Sequence, residues 1–345
     1  MGVLSLILSA LLLLQDRPQK VFEGPVGDAF ILRATAEYTP VNPGVCCRSQ
    51  FRLVLLDKTN LNRSWEIASI SENYEYRYRI RRPTKSSIIV DRSDSDYGID
   101  YGSMALFFDT QSKSLLKRID FKPGEALQSI APDEVRRVGL DPAIFSKILA
   151  VPLLRDQDST PLPEGLPSVA PLKSTFAEFA KARPARVRDG YSSDVVTLEE
   201  TVGAWQIADG RIWFGKTFYD GEGYTGVGGI GYFDLSKKAF SFLRIPQIVD
   251  WSVSALLVKD QVLWAGLERR PEAAEFSGGL LRHDLRTSAT RVFRVEDVIT
   301  SLHSSADALI LGTTNGIYVL RNDRLTRHRV MPTLDGKFVF YTETP

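Results

Sequence analysis

Five segments with one strand grammar, aspartates at equivalent turns, and strands apolar on both faces predict an all-β fold. The expected class is a β-propeller of about five four-stranded blades, six if a degenerate blade lies among them. A mostly helical, irregular insertion interrupts it. Residues 20–122 are expected to form blades 1–2, 123–194 the insertion, and 195–345 blades 3–5 with a closing strand.

The grammar is an apolar strand, a loop, a second apolar strand ending near Asp, a short polar turn and a further strand. It begins at Asp28 (DAFILRAT, then QFRLVLLDKTNLNRSWEI) and Ser87 (SIIVDRS, then SMALFFDTQSKSLLKRIDF). It returns at Gly210 (GRIWFGKT, then GGIGYFDLSKKAFSFLRI), Gln261 (QVLWAGLE, then GGLLRHDLRTSATRVFRV) and Ala308 (ALILGTT, then NGIYVLRNDRLTRHRV). Another strand precedes most of them, as at Tyr74–Ile80, Val202–Ile207 and Val253–Val258. Asp57, Asp109, Asp234 and Asp284 occupy equivalent places, with Asp323 a looser fifth. An Asp entering a tight turn accepts hydrogen bonds from the backbone just ahead, so these carboxylates read as scaffold.

Tyr74, Tyr76, Tyr78 and Ile80 alternate with Glu75, Arg77 and Arg79, the period of a half-buried strand. The strands Ile88-Ile89-Val90, Ile212-Trp213-Phe214, Val262-Leu263-Trp264 and Leu309-Ile310-Leu311 have no polar face and need cover on both sides. Stacked sheets supply it. Lys337–Thr342 (KFVFYT) is then the expected partner of the first blade.

The repeat in DGRIWFGKT…GGIGYFD (Asp209 to Asp234) and in LILGTTNGIYVL (Leu309 to Leu320) resembles that of bacterial two-component-regulator propellers. Those are periplasmic or extracellular modules with a DG-x-LW-x-GT…GL-x-x-x-D blade. The match is good in the last third and loose in the first. The resemblance implies a scaffold and no signalling role, because scaffolds host unrelated functions.

Between Phe121 and Val195 the grammar stops. Pro132–Ala150 and Ser174–Ala182 read as helices, the first opening on Pro-Asp-Glu and split by Gly139 and Pro142. Pro152–Pro171 between them is proline-rich and reads as a connector.

At the N-terminus, Val3–Leu14 is an unbroken apolar run followed by polar residues, shorter than the roughly 20 residues that span a bilayer. It reads as a secretory signal within a leader over residues 1–19, placing the mature protein in the periplasm or outside the cell with no transmembrane span; an uncleaved anchor and a buried strand are the alternatives. The only cysteines, Cys46 and Cys47, are adjacent; loop thiols, a vicinal disulfide and a metal site stay open. A net charge of +1 gives no field for nucleic acid.

In each blade the long second-to-third loops should share one face with the insertion: Thr35–Ser49, Arg92–Gly102, Lys216–Gly229 and Glu268–Gly279. Function concentrates in loops on a rigid scaffold, so the expected role is a binding or interaction module for a protein or glycan. Tyr97, Tyr101, Phe218, Tyr219, Asp220, Glu222, Tyr224 and Trp251 are the candidate ligand-binding residues, offering aromatic faces and polar tips. Asp94, Asp96 and Asp100, with Asp91 nearby, are candidate Ca²⁺ ligands around glycine-permitted turns, in an order unlike the calcium-loop motif. No cofactor is otherwise expected. The alternative function is a hydrolase or lyase on carbohydrate or lactone with axial carboxylates, for which Asp94, Asp220, Glu222 and Asp250 stand as candidates. No catalytic motif names a catalytic residue, and His283, His303 and His328 read as strand residues.

Overall fold

A computed structural model describes residues 19–39, 48–72, 76–94, 100–151, 163–167, 173–188, 198, 200–218, 226–269 and 277–343. Residues 1–18 of the expected leader, Cys46 and Cys47 lie outside the described residues, while Gln19, the last residue of that leader, opens the first strand.

Five antiparallel sheets follow in chain order, each a meander of sequence neighbours. The first is β1 (Gln19–Val26), β2 (Phe30–Thr39), β3 (Arg48–Asp57) and β4 (Ser64–Glu72). β5 (Tyr76–Thr84), β6 (Ser87–Asp94), β7 (Asp100–Asp109) and β8 (Ser114–Phe121) form the second. The third comprises β9 (Glu200–Ala208), β10 (Arg211–Phe218), β11 (Ile230–Asp234) and β12 (Ala239–Phe242). The fourth comprises β13 (Ser252–Lys259), β14 (Val262–Arg269), β15 (Ser277–Asp284) and β16 (Thr290–Val295). The fifth has five strands: β17 (Ile299–Ser304), β18 (Leu309–Thr313), β19 (Gly316–Arg321), β20 (Arg324–Pro332) and β21 (Phe338–Glu343). Among the described residues, five short helices lie between β8 and β9: α1 (Pro123–Leu127), α2 (Pro132–Arg137), α3 (Pro142–Leu149), α4 (Phe176–Ala182) and α5 (Pro184–Arg188). The expected split at Gly139 and Pro142 is where α2 ends and α3 begins, and no strand interrupts the described insertion.

The turns show why these strands reverse where they do. Asp209-Gly210, Asp260-Gln261 and Asn322-Asp323 have φ between 49° and 68°, the left-handed pair that a two-residue hairpin needs. The four equivalent aspartates cap the third-to-fourth turns as expected. Asp57 accepts from the Thr59 backbone N–H, Asp109 from those of Gln111 and Ser112, Asp234 from Ser236 and Lys237, and Asp284 from Arg286 and Thr287. These hydrogen bonds hold all four carboxyls below the usual aspartate range. Asp323 differs: it sits inside a two-residue hairpin and pairs with Arg291 at 2.8 Å.

One expectation is overturned. β21 does not complete the first sheet but pairs beside β20 as the fifth strand of its own sheet. The reason is local: Thr333 and Lys337 close a tight turn through a 2.7 Å backbone bond, with Gly336 at φ 91°. A short loop costs far less chain entropy than closure across the whole sequence.

The chain divides into two compact units. One holds the residues up to Ser129 with Met331–Val339; the other holds Ile130–Val330 with Phe340–Pro345. In the first unit β1 packs on β5 and β4 on β8, around a core that includes Leu32, Phe51, Leu53, Ile88, Leu106 and Phe108. In the second, β13 packs on β9 and β17 on β13, with separate apolar clusters between successive sheets. The helices α2 to α5 belong to this second unit.

A repeated contact sets the spacing of the second unit. Gly215, Gly266 and Gly312 occupy matching places in β10, β14 and β18. Each leaves room for an aliphatic side chain from the next element. A Cβ on Gly215 would collide with Val253 of β13, and one on Gly266 would stand 2.9 Å from the Ile299 Cβ of β17. At Gly312 the occupant changes: a Cβ there would meet Ile148 of α3 at 2.6 Å. A helix thus fills the slot that a strand fills in the two sheets before it.

Candidate functional site

A buried polar cluster forms where α4 meets the ends of β9 and β10. Thr175 caps α4 and Glu178 returns the bond to the Thr175 backbone, a reciprocal capping box that fixes the start of the helix. Immediately before it, the Ser174 N–H donates to Glu200 Oε2 at 2.6 Å. Glu200 is buried, and Lys216 Nζ lies 2.5 Å from the same oxygen while also donating to Ser174 Oγ at 2.9 Å. The other carboxylate oxygen accepts from the Val227 N–H at 2.7 Å.

At the far end of α4, Arg183 is almost fully buried. Its Nη1 donates to the Gly226 carbonyl at 3.0 Å, and its Nε lies 2.9 Å from Asp250 Oδ1. The guanidinium also lies over the rings of Phe179 and Phe218 at 5.7 and 6.0 Å. Ser252 Oγ accepts from the Phe218 N–H and donates to the Phe218 carbonyl. Both ends of the β10–β11 connection are therefore held by buried side chains: Phe218 by the Ser252 hydroxyl, and Gly226-Val227 by charge-assisted hydrogen bonds to Arg183 and Glu200.

Phe218 proves to be an anchor rather than a ligand face. Its ring is 0% exposed, and a Cβ on Gly226 would stand 2.5 Å from it. Trp251 is half-buried beside the same corner, its N–H donating to the Ile248 carbonyl at 2.9 Å. Asp250, an axial-acid candidate, is engaged by Arg183. Tyr219, Asp220, Glu222 and Tyr224 lie in the connection itself, outside the described residues, as do Tyr97 and Asp96. The backbones of Asp94, Tyr101 and Asp100 fall in β6 and β7, while their side chains are outside the description. Asp91 accepts from Arg81 Nε and Ser103 Oγ, both at 2.8 Å, so its carboxylate serves the sheet.

The Ser174–Lys216 contact has the composition of a nucleophile and its base, and its surroundings decide against that chemistry. A base must be able to take the hydroxyl proton. Here Lys216 Nζ donates to Ser174 Oγ at 2.9 Å and pairs with Glu200 Oε2 at 2.5 Å, so the contact runs the wrong way for removal of the hydroxyl proton. The trio is a clamp. Two of the three histidines are equally committed. His283 bonds Thr290 and His328 bonds Thr342. Burial, with Arg137 and Arg321 nearby, pushes His328 down to about 4.

Sequence reasoning missed Glu200, Lys216, Ser174 and Arg183. The one available signal was Lys216 itself, a charge inside a strand otherwise read as buried on both faces.

No family model matches the chain, and no curated protein matches it. Among solved structures, the extracellular domain of BT4673 from B. thetaiotaomicron is similar at 14% identity, covering 92% of this chain and 28% of that one, with a TM-score of 0.27. The β-propeller domain of the Trilobed protease from Pyrococcus furiosus is 6% identical, covering 94% and 92%, with a TM-score of 0.26. BamB from Moraxella catarrhalis is 11% identical, covering 94% and 72%, with a TM-score of 0.24. The chain spans about a third or less of the length of the BT4673 structures it matches. Values this low assign neither fold nor function to it. Among the described residues no helix is long and apolar enough to cross a membrane.

Proposed function

We propose that the protein is an exported, propeller-type binding module whose five sheets act as blades and whose partner, a protein or a glycan, meets the connection between β10 and β11. The observation that carries this reading is the framework under that connection. Glu200, Lys216, Arg183 and Ser252 fix Phe218, Gly226 and Val227 from below. Burying ionised groups is costly unless they are fully paired, and here that cost is met at the root of a single loop. Such a root gives the segment that carries Tyr219, Asp220, Glu222 and Tyr224 in sequence two fixed ends, and fixed ends lower the entropic cost of recognition by a loop. The apolar run at Val3–Leu14 supports export.

The test is a glycan array and a peptide display screen on the purified protein, followed by alanine replacement of Tyr219 and Tyr224. Affinity for the ligand found should fall at least about tenfold with thermal stability unchanged, as for truncated interface aromatics. Undiminished binding by the double variant would remove this connection from consideration.

A further inference from the structure

The second unit contains an open wedge that its own repeat explains. Trp213 of β10 and Trp264 of β14 hold the same place in successive sheets. Trp213 faces Gln206 on one neighbouring strand and Tyr232 on the other; Trp264 faces Leu257 and Arg282. Between the third and fourth sheets the position is filled. The Gln206 amide bonds both backbone groups of Val258, and Tyr232 packs on the indole with centroids 4.8 Å apart. Arg211 lies over both rings, and Trp213 is 1% exposed. Between the fourth and fifth sheets Leu257 cannot bridge, Val262 stands where Arg211 stood, and Arg282 replaces the second ring. A cleft of about 600 Å³ opens there, with Trp264 half-buried in its wall.

The floor is apolar: Leu257, Val262, Trp264, Leu309 and Leu320. Arg282 is half-buried with its guanidinium 5.8 Å from the indole centroid, and it has no carboxylate partner among the described residues. Lys259 stands at the mouth, donating to Ser304 Oγ at 3.0 Å. Three aspartates edge the cleft. Asp307 is neutralised by Arg321 at 3.0 Å and Asp323 by Arg291 at 2.8 Å, leaving Asp260 on its exposed turn. The two lining cations therefore outweigh the one unmatched carboxylate. A half-desolvated guanidinium against an aromatic face recognises a carboxylate in fork geometry, with the ligand's apolar body on the indole.

We propose that this cleft is a binding site for a small carboxylate with a flat or branched apolar body, held by Arg282 and Lys259 above Trp264. It shares no lining residue with the framework of Glu200, Lys216, Arg183 and Ser252, and stands or falls independently of the function proposed above.

The experiment titrates the full-length protein with 3-phenylpropionate and, separately, with its neutral amide, following tryptophan fluorescence and heat. Saturable binding of the acid, at least about tenfold tighter than the amide, is expected, because the amide forfeits the charge-assisted bonds. Arg282→Gln should lose the same factor. The double substitution Leu257→Gln with Arg282→Tyr copies the neighbouring wedge, and should abolish binding while the melting temperature holds or rises. Equal affinity for acid and amide overturns the proposal, and so does absence of binding to the unmodified protein. Retention of binding by the double variant, or Trp264-dependent binding of maltotriose in preference to the acid, overturns it as well. The acid-to-amide comparison needs no variant, so a poorly folding substitution does not protect the idea.

Discussion

The two units use the same turns and different glue. In the second, glycines at matching places in β10, β14 and β18 each take in one aliphatic side chain, and successive sheets touch almost backbone to side chain. In the first, the corresponding strands carry Ala34 and Asp91. There the sheets meet over larger apolar residues, with the part-buried Arg92–Glu72 ion pair at 2.5 Å crossing from one sheet to the other. Steric slots tolerate almost no change in volume, whereas a contact between larger side chains can repack. The same blade plan thus yields one unit keyed by close backbone approach and one keyed by side-chain bulk.

The largest expected effect tests the slot. Gly266→Val places a branched side chain where the Ile299 Cβ already stands within 2.9 Å of a methyl, and should destabilise by ~3 kcal/mol or more. Chemical denaturation followed by hydrogen exchange would read it, with loss of protection concentrated in β13 to β20. Uniform loss across both units would erase the distinction.

Acid separates the units by nearly as much. All three histidines lie in the second unit. His328 is pushed down to about 4 by its burial, from an ordinary value near 6.5. Between those values the unfolded chain binds a proton that the folded chain refuses, so folding is favoured less as pH falls. The contribution is complete above pH 6.5 and gone near pH 4, amounting to up to ~3 kcal/mol. His283 and His303 are lowered too, by burial first, and act in the same direction. Opening free energies from hydrogen exchange, corrected for the intrinsic rate at each pH, should fall from pH 7 to pH 5 in the second unit and stay level in the first; His328→Phe should flatten the response.

The smallest effect concerns what the units share. Asp109→Ala and Asp284→Ala each remove the carboxylate that organises a third-to-fourth turn. Thermal melts of the two variants should show small, equal losses below either effect above. A marked inequality would mean that the turns, like the packing, belong to different designs.

Much of this was legible beforehand. Strand periods, aspartate-led turns and the Gly139–Pro142 helix break are local features, and local chemistry is written in neighbouring residues. The partner of β21 was not, because a hairpin closed by five residues competes against a distant edge and wins on entropy. Nor was the role of Gly215, Gly266 and Gly312, since a glycine inside a strand marks either weakness or close approach, and only its neighbour in space decides which. At the candidate site, Phe218 was named for its aromatic face, yet burial of that face is set by Arg183, 35 residues earlier. The both-face burial expected of Val262-Leu263-Trp264 failed only at Val262 and Trp264, where Leu257 and Arg282 differ from the residues of the preceding sheet.

Ile148 in the hollow of Gly312 has an evolutionary corollary. Tandem duplication lengthens an array only while its last member can receive another. Here that final berth is taken by a helix encoded upstream of the three sheets it terminates, so a duplicated sixth sheet would first have to evict it. Register at that end is guarded by a segment that is not itself part of the repeat, leaving the repeat free to drift in sequence while the number of sheets stays fixed.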